Sequence, residues 1–187
     1  MPKERISREM IEAAAFALAR EGGMERVQVK RVAERLKCSA QPIYSHFENM
    51  EALRRAVEAK ARDFVGAFVG ARVDAADPFR STGLAYVQLA REEPELFRIF
   101  ILQERPGVDS LAALYRREAS GEMAERIARR FGIDRERAAA LHLNMLIYNI
   151  GLGALFCSAR EGISLDEIAA QQEIACAAFL NQARDGN

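Results

Sequence analysis

The sequence predicts an all-α protein: an N-terminal helix-turn-helix head of three short helices, then a larger helical bundle. Half of the 187 residues are hydrophobic, yet no strand-like alternation persists. Prolines are few, and apolar residues recur at three- and four-residue spacing between clear stop signals. A chain of this length holds one or two small domains with a true core. The boundary is expected at 49/50, with a head over 1–49 and a body over 50–187.

In the head, Val29, Val32, Ala33 and Leu36 recur as one buried helical face, and Lys30, Arg31, Glu34, Arg35 and Lys37 take the other. The chain turns at Lys37-Cys38-Ser39. Ser39 suits an N-cap, because its hydroxyl can accept a free first-turn N–H. Pro42 follows within the first turn, where its missing N–H costs no intrahelical bond. Ala40, Ile43 and Phe47 share the inner side of this next helix, leaving Gln41, Pro42, Tyr44, Ser45 and His46 outward or flanking. Barely two turns long, it needs neighbours to clamp it. What it displays is hydrogen-bonding and aromatic chemistry, which suits a DNA major groove. Ser39 and Gln41 are candidate base or phosphate contacts, and Tyr44 and His46 candidate phosphate contacts. The competing reading is a small core whose surface is merely polar.

The body begins with a long helix from about Asn49 to Ala71, carrying Leu53, Val57, Phe64 and Phe68 inward. After a break at 73–77, Pro78 opens a helix whose apolar face holds Leu84, Tyr86, Val87, Leu89 and Ala90. Pro94 restarts a short helix to Leu102, and Arg105-Pro106-Gly107 is a turn. Ser110 to Phe131 reads as one helix with a weak spot at Ser120-Gly121, stopped by Gly132. Asp134 caps a long helix to about Arg160, apolar on nearly all sides through Leu141, Met145, Ile147, Ile150, Leu152 and Leu155. Ser164 to Glu167 is a capping box opening the last helix, striped by Leu165, Ile168, Ala169, Ala175, Cys176, Phe179 and Leu180. The last two helices fit either a monomeric core or a four-helix interface between two copies, where Gly151, Gly153 and Ala154 would allow close approach.

The net charge is zero, but its distribution is uneven. Residues 1–60 carry 12 Lys/Arg against 9 Asp/Glu, and residues 61–187 carry 15 against 18. A basic head on an acidic body fits a chain that meets phosphate at one end. Cys38, Cys157 and Cys176 show no metal-ligand spacing and read as free thiols of a reducing cytoplasm. No signal-peptide block opens the chain, and the apolar run Leu141 to Cys157 is read as too short for a bilayer. No phosphate loop, paired-carboxylate motif or metal cluster is present, so neither an enzyme, a metal nor a cofactor is expected. His142 and Cys157 lie about 22 Å apart along one helix and cannot form a nucleophile–base pair that way.

Met10 to Leu53 resembles the N-terminal domain of TetR-type transcriptional regulators. The signs are Ile11, Ala14 and Leu18, the Gly22-Gly23 stop, Val32-Ala33-Glu34, Cys38-Ser39, Tyr44-Ser45-His46-Phe47 and Glu51-Ala52-Leu53. Three positions depart from the pattern: Gln28 for a capping threonine or serine, Lys37 for a common glycine, and Met50 for a phosphate-touching lysine. The resemblance implies a homodimer on a palindrome in double-stranded DNA, contacted through Gln28, Lys30, Arg31, Ser39, Ala40, Gln41, Pro42, Tyr44, Ser45 and His46. It also implies a small-molecule effector of unknown identity held in the body. Candidate lining residues are Phe64, Phe68, Tyr86, Phe97, Phe100, Ile101, Tyr115, Met145, Tyr148 and Asn149, with Met123, His142 and Phe156 nearby. The expected activity is ligand-released repression, and the alternative is a helical interaction protein of this fold that has lost DNA binding.

Overall fold

The computed structural model describes residues 6–119, 121–158 and 163–185. Ten α-helices are found among them: α1 (Arg8–Gly22), α2 (Val29–Leu36), α3 (Gln41–His46), α4 (Met50–Gly70), α5 (Pro78–Glu92), α6 (Pro94–Leu102), α7 (Leu111–Glu118), α8 (Gly121–Phe131), α9 (Arg135–Ser158) and α10 (Leu165–Asp185). They form two compact units, Met1–Phe68 with Glu93–Leu102, and Val69–Glu92 with Gln103–Asn187.

The first unit is built on α1. Ser7 caps it by accepting from the Met10 N–H at 3.3 Å, and Ile11, Ala14, Ala15, Leu18 and Ala19 are its buried face. Val27, Val32, Ala33, Ile43, Phe47, Leu53 and Val57 complete one core with them. On α4 the buried row runs Leu53, Val57, Ala61, Val65, while Phe64 and Phe68 are half-buried on the flank. The short helix α6 packs on α1, tied by an ion pair from Arg20 to Glu93.

Two local expectations change in this unit. Ser39 does not cap α3; the helix starts from Ala40, itself in helical conformation, whose carbonyl accepts from Ile43 and Tyr44. The turn is set instead by Lys37, left-handed at φ 50 and ψ 42, whose N–H closes α2. Met50 opens α4 half-buried against the head core, with Asn49 Oδ1 accepting from Ala52 N–H at 2.9 Å.

In the second unit α9 is central, packed by α5, α8 and α10. Asp134 caps it through the Arg137 N–H at 2.9 Å. Its expected end at Arg160 lies outside the described residues. Taken from Arg135 to Cys157 it spans 23 residues, long and apolar enough by length and composition to cross a bilayer, which the shorter run Leu141–Cys157 did not suggest. The capping box forms as expected: Ser164 N–H donates to Glu167 Oε2 at 2.8 Å and Glu167 N–H to Ser164 Oγ at 3.2 Å. The single helix expected over 110–131 is two helices, because Ala119 is extended (φ −109, ψ 139) and ends α7. Ile147, Leu155 and Ile174 are exposed on α9 and α10, and Gly151 is open on the same α9 face, whereas Gly153 is buried.

A β-carbon in the left-handed region is strained, by on the order of 1 kcal/mol. Lys37→Gly is therefore expected to stabilise the chain by up to about 1 kcal/mol in urea unfolding, and Lys37→Ala to leave it unchanged.

Candidate nucleic-acid interface and body cavity

Helix α3 has six residues, too few to persist alone. Ile43 and Phe47, 1% and 2% exposed, anchor its inner side. Its far end is strapped down by the start of α1. The His46 Nε2–H donates to the Ile6 carbonyl at 3.0 Å, and Arg8 donates to the His46 carbonyl at 3.4 Å. The Arg8 guanidinium also lies 4.5 Å from the centre of the Phe47 ring.

Held in this way, α3 leaves Gln41, Tyr44, Ser45 and His46 exposed, with Ala40 and Pro42 half-buried beside them. Tyr44 is 58% exposed. The Ser45 hydroxyl donates to the Gln41 carbonyl at 3.0 Å, so toward a partner it offers lone pairs. Because Nε2 is committed to Ile6, a neutral His46 presents an acceptor at Nδ1; only its imidazolium form can donate to a phosphate. Ser39 is exposed in the turn.

Gln28 opens α2 without a side-chain cap and donates instead to the Glu25 carbonyl at 3.0 Å. Three of the five described head arginines are ion-paired: Arg8 with Glu12, Arg20 with Glu93, Arg35 with Glu21. Lys30 reaches Glu34 only at 4.0 Å, with both side chains well exposed. Arg31 and Lys37 are exposed and carry no ion pair among the described residues. Arg26, just before α2, is likewise exposed without an ion pair among the described residues, so the cations left for a polyanion lie before α2, along it and at the turn after it.

The candidate effector residues fall into separate groups. Phe64 packs with Phe16 and Phe68 at ring distances of 6.0 and 6.2 Å, under the Arg20 guanidinium. Phe97 is buried on α6, where Phe100 and Ile101 are half-buried. In the second unit burial raises the phenol pKa of Tyr86, and the Glu118 carboxylate adds to it. The Tyr115 hydroxyl and His142 Nδ1 are hydrogen-bonded at 3.1 Å, and Phe79 meets the imidazole edge-on. Burial pushes the His142 pKa down to about 4, so the ring is neutral at ordinary pH. Tyr148 lies edge-on to Phe179, Met123 packs against the α8–α9 core, and Phe156 is buried. Cys157 sits by the Ala90 carbonyl at 3.7 Å, away from any imidazole contact of His142 that is described.

Met145 and Asn149 do come together. They line a cavity of about 340 Å³ between α5, α8, α9 and α10. Its other walls include Phe79, Gly83, Phe131, Gln172 and Leu180, and the ion pairs Arg80–Glu173 and Arg130–Asp77 stand among its lining residues. Cys176 faces it as a thiol whose pKa burial raises. Gln172 was missed in the sequence, although it is the polar exception inside the apolar stripe of the last helix. Among the described residues no three potential metal ligands cluster.

Residues 11–57 match the family described as bacterial regulatory proteins, tetR family. No curated protein sequence matches the chain. Among solved structures, a single-site variant of TetR from Acinetobacter baumannii AYE in complex with minocycline superposes with a TM-score of 0.61 at 21% identity, covering 95% of this chain and 98% of that one. TetR from the same organism gives 0.55 at 20% identity, covering 97% and 96%. These likenesses establish the fold.

Between pH 6.5 and about 4 an unfolded His142 takes up a proton that the folded ring refuses. Stability is full above that window and is lost as pH falls through it. A His142→Gln variant should lose less stability over the same window, measured by urea unfolding, and parallel losses in the two proteins would refute this.

Proposed function

We propose, from the premise that this chain is a TetR-type regulator by its head over residues 11–57, that it is a ligand-responsive transcriptional repressor acting as a homodimer. The carrying observation is α3, a helix too short to stand alone, clamped so that Gln41, Tyr44, Ser45 and His46 face outward. Outward polar groups on a held helix serve groove reading, and the unpaired Arg31 and Lys37 beside it serve phosphate.

A two-turn reader gains its affinity by doubling. The apolar exposed face of α9 and α10, with Ile147, Gly151, Leu155 and Ile174, supports pairing of two copies on a palindrome with half-sites about 34–36 Å apart. The body cavity supports the binding of an effector, as does a protein of the same fold crystallised with minocycline. Effector and DNA then oppose each other through one coupling energy, typically ~1–3 kcal/mol. A chain of this function works in the cytoplasm. We propose the DNA contacts as Gln28, Lys30, Arg31, Ser39, Ala40, Gln41, Pro42, Tyr44, Ser45 and His46, with Met50 contributing packing where a lysine would contribute a phosphate contact.

Fluorescence anisotropy on the DNA upstream of the gene tests this, run against excess unrelated duplex across a salt series. Specific binding should survive the competitor with two subunits per site and a steep salt slope. Lys30→Ala or Arg31→Ala should weaken binding to all sequences alike and lower the slope by about 1. Gln41→Ala should cost about 1–3 kcal/mol at the operator and relax its preference. Indifference to changes at Tyr44 and His46 would favour a helical interaction protein that no longer reads DNA.

A further inference from the structure

Asn149 and Gln172 are the buried polar residues of the chain among those described, and they sit side by side in the wall of the α5–α8–α9–α10 cavity. Gln172 Nε2–H donates to Asn149 Oδ1 at 2.7 Å. That bond uses one amide's oxygen and one hydrogen of the other. Asn149 Nδ2 and Gln172 Oε1 make no bond to the protein, yet no described side-chain N or O sealed from solvent lacks a partner. Both atoms are therefore accessible on residues that line the cavity. Turning both amides round exchanges their roles and again leaves one N–H donor and one carbonyl acceptor.

The pair is given room by a glycine. A β-carbon at Gly83 would stand 2.6 Å from Asn149 Nδ2, so a side chain there would push the amide out of place. The remaining surface is apolar through Phe79, Phe131 and Met145, and the lining arginines Arg80 and Arg130 are each matched by a carboxylate. Nothing there recognises a net charge. At about 340 Å³ the space is near the lower end of small-molecule sites, which are typically about 300–1,000 Å³.

We infer that the cavity takes a compact, neutral, largely apolar molecule bearing a neighbouring N–H and C=O, as in a lactam, imide or carboxamide. Its N–H donates to the open carbonyl of the Asn149–Gln172 pair, and its carbonyl accepts from the open amide N–H. The inference deepens the effector reading, and its consequence at DNA rests on that reading.

Calorimetric titration of the full chain with three probes tests it: carbostyril, a fused lactam; N-methylcarbostyril, which lacks the donor; and naphthalene, which lacks both groups. Carbostyril should bind at least about tenfold tighter than either of the others, because each leaves buried amide groups unpaired. In the Asn149→Leu/Gln172→Leu double variant that ratio should fall to within about twofold, with naphthalene still bound. Gly83→Ala leaves both amides in the sequence and should lower carbostyril affinity about tenfold, which keeps the test intact if the double variant does not fold. Equal binding of carbostyril and its N-methyl derivative, no binding of carbostyril by the unaltered protein, or a preference that survives in the double variant would each overturn the inference. The preference together with unchanged operator affinity under carbostyril would leave the site standing and remove the effector reading.

Discussion

A six-residue helix gains too few internal hydrogen bonds to offset the cost of its first turn, so α3 exists only because other residues hold it. Ile43 and Phe47 hold it from beneath. The chain entering α1 holds its far end, through the Ile6 carbonyl on His46 and the Arg8 guanidinium over Phe47. The turn before it is held by Lys37 in a conformation that a β-carbon resists. The polar side chains that α3 turns outward stand exposed because apolar groups and local strain have fixed the helix elsewhere. On α2 the Arg35 guanidinium is bound to Glu21, while Arg31 one turn earlier is exposed with no ion pair among the described residues.

The second unit solves a different problem. A helix as apolar as α9 has to be covered, and α5, α8 and α10 pack on it while Ile147 and Leu155 stay exposed. An all-aliphatic core of this kind would carry no hydrogen-bonding side chain. Instead Asn149 and Gln172 face each other inside it, with Gly83 leaving space beside them. Burying amides in an apolar setting is costly unless each group is bonded, and one bond between them leaves most of their donors and lone pairs unused. A cavity with that wall is poised for a guest.

Patterns confined to one helix were legible in the sequence. The apolar spacing of the head, the Ser164–Glu167 capping box, Asp134 as a cap and the all-round apolarity of 135–158 appear where local residues require them. Ser39 misled because a good capping residue says nothing of the turn before it, and the left-handed Lys37 delivers the chain with Ala40 already helical. The break at Ala119 was visible only as a weak spot. Of the cavity, Met145 and Asn149 were named from their apolar helix, but the residues that define its chemistry, Gln172 and Gly83, act through partners on other helices. Pairings across 23 or more positions leave no periodic trace.

The segment recognisable as a family domain ends at residue 57, yet the compact unit containing it does not. It runs along α4 to Phe68 and recruits α6, whose Ile99 packs on the head core and whose preceding Glu93 binds Arg20. A fragment cut at the family boundary would lose both, along with the Phe16–Phe64 ring contact. The compact unit that holds the reading helix is therefore discontinuous in sequence. Its two parts are separated by the whole of α5, so the chain must be made past residue 102 before the reading end can be complete.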